Sequence, residues 1–93
     1  MMQIEFDSAK NEKNIRERDL SFERVREFNF ETANVTIDDR RDYGEVRYVA
    51  TGYLEQRLYI LCFTETTLGI RVISFRKANN REVKKYEQST FNK

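Results

Sequence analysis

Arg57-Leu58-Tyr59-Ile60-Leu61-Cys62-Phe63-Thr64 contains the longest apolar run of the chain, Leu58 to Phe63. Six apolar residues are far too few to span a membrane, and a short continuous run of this kind reads as a strand covered on both faces. Before it, Val46 to Leu54 alternates aliphatic or aromatic with polar residues; after it, Gly69 to Arg76 closes the set of three strand-like runs. The connections, Glu55-Gln56 and Thr66-Thr67-Leu68-Gly69, are short enough for hairpins, so these three strands should run antiparallel.

Working outward, Thr32 to Ile37 reads as a further strand, with Val35 and Ile37 in phase, and Asp38 to Gly44 as a charged turn closed by Gly44. Ser21 is placed to cap a helix carrying Phe22, Val25 and Phe28 or Asn29 at three- to four-residue spacing. Before it, Asp7 or Ser8 caps a mostly polar helix to about Arg18, and Met2 to Phe6 is a short first strand. At the other end Asn79 or Asn80 caps a last helix with Val83 and Tyr86 on one face. The expected fold class is α+β in a single domain, residues 1–93. It comprises a small antiparallel sheet of about four strands, a short N-terminal strand, two N-terminal helices and one C-terminal helix.

Composition narrows the function. At 39% hydrophobic and 13% aromatic residues the chain is too apolar for a disordered tail, and its seven Phe and five Tyr must supply much of a thin core. It contains no histidine, which removes the usual acid/base at neutral pH and the commonest metal ligand. The single cysteine, Cys62, cannot form an internal disulfide and reads as a small buried hydrophobe. A reducing, cytoplasmic setting fits, and Met1 to Phe6 leads into charge rather than into a signal peptide. Asp38, Asp39 and Asp42 are hard-cation donors in type, but Arg40 and Arg41 lie between them and the spacing matches no calcium loop. Three glycines cannot build a glycine-rich phosphate loop. No metal or cofactor is expected.

Charge is the informative feature that remains. Residues 1–45 hold eight Lys/Arg against twelve Asp/Glu, and residues 71–93 hold seven against two, so the net +1 hides an acidic and a basic end. Arg47, Arg71 and Arg76 fall on strands or strand ends, and Lys77, Arg81, Lys84 and Lys85 continue the basic stretch. A guanidinium fork matches phosphate oxygens, but a solvated face and a structural ion pair fit the same pattern. In a flat strand Arg71 and Arg76 face opposite ways; they converge only if the strand twists or bulges. Glu45, at a strand entrance beside arginines, reads as a rim carboxylate, an orienter of a guanidinium, or a base. RNA cleavage needs a group to take the 2′-hydroxyl proton and cations to hold the phosphorane charge.

Four blocks in order give the chain a family resemblance. They are Phe6-Asp7-Ser8-Ala9-Lys10 with Asn14 and Leu20-Ser21-Phe22; Asp39 to Arg47 leading to Ala50 and Gly52; Tyr59 to Glu65; and Arg71 to Ala78 with Arg81-Glu82 and Tyr86-Glu87. Together they resemble the BrnT toxins of type II toxin–antitoxin systems over almost the whole length. The resemblance implies a RelE-like ribonuclease fold, an RNA-cleaving activity that stops translation, and a cognate antitoxin of ribbon-helix-helix type that binds operator DNA. No membrane partner is implied.

By that resemblance Glu45, Arg47, Arg71 and Arg76 are the expected catalytic residues. Lys10, Arg18, Ser74, Lys77 and Arg81 are the expected RNA contacts, with Ser74 hydrogen-bonding phosphate or simply packing. One stretch departs from the family pattern: where relatives have Lys-His-Gly, this chain has Glu17-Arg18-Asp19. Arginine stays protonated and cannot replace a histidine base. Two functional expectations follow, an active metal-independent ribonuclease and a catalytically weakened partner-binding form acting as co-repressor. Without the resemblance, a small adaptor domain with a basic helix would rank first.

Overall fold

A computed structural model describes residues 2–91. The elements are β1 (Gln3–Phe6), α1 (Ser8–Arg18), a 3₁₀ helix (Phe22–Glu27), β2 (Asn34–Ile37), β3 (Tyr48–Leu54), β4 (Arg57–Glu65), β5 (Gly69–Lys77) and α2 (Asn80–Phe91). They form one five-stranded sheet in the order β1-β5-β4-β3-β2. The four strands β2 to β5 pair antiparallel, β3 to β5 through hairpin-length connections and β2 to β3 through the longer charged turn. β1 returns beside β5 in parallel, which makes the sheet mixed. Its register brings Gln3 against Gly69, so close that a Cβ on Gly69 would collide with the Gln3 backbone.

β4 sits at the centre, and every residue from Leu58 to Thr64 is buried. Its odd-numbered side chains, Tyr59, Leu61 and Phe63, join Phe22, Val25, Phe28, Ala50, Val72 and Phe75 in the main core. Perpendicular ring contacts such as Phe28–Phe75 (6.2 Å) and Phe30–Phe63 (6.0 Å), with Tyr59 stacked on Phe75 at 5.2 Å, fill it. The even-numbered residues Leu58 and Ile60 pack on the opposite face with Ala78 and Tyr86, beneath α2.

The three helices follow their caps. Asp7 accepts from the Lys10 amide (3.0 Å) at the start of α1, and Ser21 accepts from the Glu23 amide (3.1 Å) at the start of the 3₁₀ helix. The second helical segment is 3₁₀ rather than α, six residues long, with only Phe22 and Val25 buried along it. α2 opens with a reciprocal box: the Glu82 amide donates to Asn79 Oδ1 and the Asn79 amide to Glu82 Oε1, both at 2.9 Å. α1 buries no residue. It is held instead by asparagines: Asn14 Nδ2 donates to the carbonyls of Leu20 (3.0 Å) and Phe75 (2.9 Å), and Asn11 Oδ1 accepts from the Phe22 amide at 2.7 Å.

Candidate RNA-cleaving site

An irregularity in β5 decides the site. Cys62 pairs with Ser74 but Phe63 pairs with Val72, so Ile73 is an extra residue and β5 bulges there. One inserted residue inverts the alternation. Val72 and Phe75 both enter the main core, while Arg71, Ser74 and Arg76 pair with Thr64, Cys62 and Ile60 and share their face of the sheet. The two arginines that a flat strand would separate therefore lie on one side.

They do not meet at one point. Their partners on β4 are four residues apart, about 13 Å along the strand. At the Arg71 end, Glu45 Oε1 accepts from Arg71 Nη2 (2.8 Å) and Glu45 Oε2 accepts from Arg47 Nε (3.1 Å). The Arg71 guanidinium, and then that of Arg47, holds the Glu45 carboxyl below the ordinary carboxylate range. The Arg47 guanidinium also lies over the Tyr43 ring, 4.1 Å from its centroid. Gly44, at φ 73°, makes the turn that returns the chain from Tyr43 to this cluster.

At the other end, Arg76 forks onto Glu82, Nη1 to Oε1 at 2.8 Å and Nη2 to Oε2 at 2.9 Å. That bidentate pair, against the cost of partial burial, brings the Glu82 carboxyl down to about 2. Beside Arg76 and Glu82 lies a groove of about 420 Å³, floored by the cross-strand row Thr36, Val49, Cys62 and Ser74 and walled on the far side by Asp38, Asp39 and Arg40; Glu45, Arg47 and Arg71 do not line it. Cys62 is buried there, and its thiol is pushed up by that burial.

The expected RNA contacts are more scattered. Lys10, Arg18, Ser74 and Arg76 line a second groove between α1 and β5, beyond the reach of β1's pairing. Arg18 and Lys77 line a third with Arg24 and Tyr59. Arg81, at the start of α2, lines none of these grooves. Asp38, whose side chain is 2% exposed, receives the Arg40 fork (2.8 Å to each oxygen) and the Tyr43 hydroxyl (3.2 Å), and Asp42 caps the Gly44 amide. Asp38 and Asp42 thus serve the turn's own geometry. Sequence reading quoted Tyr43, Asp38, Glu82 and Asn14 without assigning them these roles, and did not single out Asn11. An aromatic before Gly-Glu-Val-Arg was the available signal for Tyr43.

A family model described as ribonuclease toxin, BrnT, of type II toxin–antitoxin system matches residues 6–82. The chain belongs to the BrnT family. The crystal structure of the Brucella abortus ribonuclease toxin BrnT, at 1.1 Å resolution, is similar to it with a TM-score of 0.66 and 25% identity, covering 86% of this chain and 100% of that one. No curated protein sequence matches the chain. Membership in the BrnT family carries the coarse statement of activity and system: a ribonuclease toxin with an antitoxin partner. Asp19, the C-cap of α1, sits at φ 53°, the left-handed conformation a glycine takes without strain. The position has a backbone conformation that favours glycine while carrying a carboxylate. No helix is long and apolar enough to cross a membrane among the described residues.

Proposed function

We propose that this chain cleaves RNA without a metal ion, stops translation by doing so, and is neutralised by a cognate DNA-binding antitoxin of ribbon-helix-helix type. The observation that carries this reading is the bulge at Ile73, which sets Arg71, Ser74 and Arg76 on the face that also holds Glu45 and Arg47. Arg47 and Arg71 grip the scissile phosphate. Each guanidinium spends one N–H on Glu45 and makes no other hydrogen bond among the described residues, leaving the rest of its fork for phosphate oxygens. As a ribose 2′-oxygen attacks phosphorus, its proton passes to solvent water and the P–O5′ bond breaks, leaving a 2′,3′-cyclic phosphate and a protonated 5′-hydroxyl; charge builds on the equatorial oxygens, and the two guanidiniums are placed to hold it. Glu45, kept ionised by both, is a weak base in that clamp and acts by orienting them.

Arg76, about 13 Å along the strand, contacts a neighbouring phosphate rather than the scissile one. Ser74 lies between, and Lys10, Arg18 and Lys77 guide the backbone along the α1–β5 side. Arg81 adds only general positive charge at the start of α2.

The test is cleavage of purified RNA with chelator present, comparing the intact chain with the Arg71→Ala/Arg76→Ala double variant. Chelator-resistant cleavage that the double variant loses is the expected result; equal cleavage by both would remove the site. A second reading, a weakened enzyme that acts as partner and co-repressor, is favoured by one observation: each of the three arginines already faces a carboxylate, Glu45 or Glu82. On that reading the intact chain is inert, binds antitoxin tightly, and gains cleavage with Arg18→His.

A further inference from the structure

The turn before β3 contains a closed circuit of contacts around Arg47. Its guanidinium lies over the Tyr43 ring at 4.1 Å, the Tyr43 hydroxyl donates to Asp38 Oδ2 at 3.2 Å, and the Asp38 amide donates to the Arg47 carbonyl at 2.8 Å. The base of the circuit is fixed, because the Asp38 side chain is 2% exposed and also receives both arms of the Arg40 fork. Arg47 is the most covered of the three site arginines, at 24% against 44% for Arg71 and 35% for Arg76. Glu45 takes only Nε of Arg47, from the side, which leaves the tilt of the guanidinium plane undetermined. A ring face fixes that tilt: attraction between cation and π-cloud favours a guanidinium over the aromatic face.

We infer that Tyr43 is a positioning residue for RNA cleavage: its ring seats the Arg47 guanidinium, and Asp38 holds the ring by its hydroxyl. This rests on the reading of Arg47 as a phosphate ligand. The substrate phosphate then meets an arginine already committed to one orientation, so ordering it costs nothing at the moment of reaction. Arg71, the more exposed partner, has no aromatic platform among the described residues and depends on Glu45 alone.

Cleavage kinetics of the full chain on a short single-stranded RNA test the inference. Tyr43→Leu should lower kcat by about tenfold to a hundredfold while KM stays within about twofold, and Tyr43→Phe, which keeps the ring, should remain within about fivefold of the parent. In an Arg47→Ala background, Tyr43→Leu should change nothing further. An undiminished Tyr43→Leu effect in that background would mark a purely structural residue and overturn the inference, leaving the phosphate site standing. Full activity in Arg47→Ala alone would instead remove the phosphate-site reading and the inference with it. A second readout needs no activity: the Arg47 Hε resonance should lie upfield of other arginines from ring current and move downfield in Tyr43→Leu. A resonance that does not move would show that the ring is not seated on Arg47.

Discussion

Glu45 illustrates what a single carboxylate gains from two guanidiniums. Arg71 and then Arg47 depress its pKa, so it stays ionised well into acid. The proposed cleavage should therefore show no loss on the acid side until the pH falls below the ordinary 4.5 of a glutamate. In Arg71→Ala the carboxylate loses its stronger partner, its pKa rises, and the acid limb of the pH–rate profile should move upward. An acid limb at the same pH in both proteins would disconnect Glu45 from the reaction.

Glu82 carries the same logic into stability. Its folded value of about 2 lies below the ordinary 4.5, so it stabilises the fold above 4.5 and that contribution is lost as pH falls through the folded value. Melting temperature should decline across that window, and the difference between the parent and Glu82→Gln should shrink as pH falls. Asp19 works in the opposite direction. It is a non-glycine residue at φ 53°, with a negative side chain at the negative end of α1. Asp19→Gly should stabilise by about 1 kcal/mol and raise the melting temperature by about 5 °C, read by calorimetry.

Among the elements, β4 was the most legible, because its apolar run has no polar phase and only a strand covered on both sides can bury it all. β5 was legible as a strand and illegible as a site. Arg71 and Arg76 have opposite parity, and the residue that reconciles them, Ile73, carries no mark of a bulge: it is neither glycine nor a turn former. The 3₁₀ segment was visible through Ser21 and its apolar spacing, yet with only six residues and two buried side chains nothing in the pattern separated 3₁₀ from α. β1 was readable as a strand, but its parallel pairing depends on a neighbour 66 residues away in the Gln3–Gly69 register. Gly69 permits that approach. Gly69→Ala should uncouple β1 from β5 and cost about 1–3 kcal/mol, with loss of amide protection in residues 3–6 by hydrogen exchange.

For the whole molecule, the sheet separates two tasks. One face holds the aromatic core, and the other is shared between α2 and the open groove with its arginines. A small domain whose core is divided between the two faces of one sheet has little stability in reserve: roughly 5–15 kcal/mol is typical, and emptying a buried phenylalanine site costs about 3–5. Phe75, 1% exposed between Phe28 and Tyr59, is the sharpest case. Phe75→Ala should leave the chain partly unfolded at 37 °C, seen as a broadened low-temperature transition.

The sequence by itself determined the elements, their order, the central place of β4 and the family, because hydrophobic period, caps and ordered motif blocks are local properties of the chain. It also identified the residues Glu45, Arg47, Arg71 and Arg76 as the group worth placing. Only the tertiary structure decided that Arg71 and Arg76 share a face, that Glu45 joins two arginines while Glu82 holds the third, and that Tyr43 lies on Arg47. The shared face depends on the bulge of β5 against β4, and the Glu45–Arg71 link on groups 26 residues apart; the Tyr43–Arg47 and Arg76–Glu82 contacts are close in sequence but depend on the path of a turn and on where α2 begins, and local propensity contains none of these.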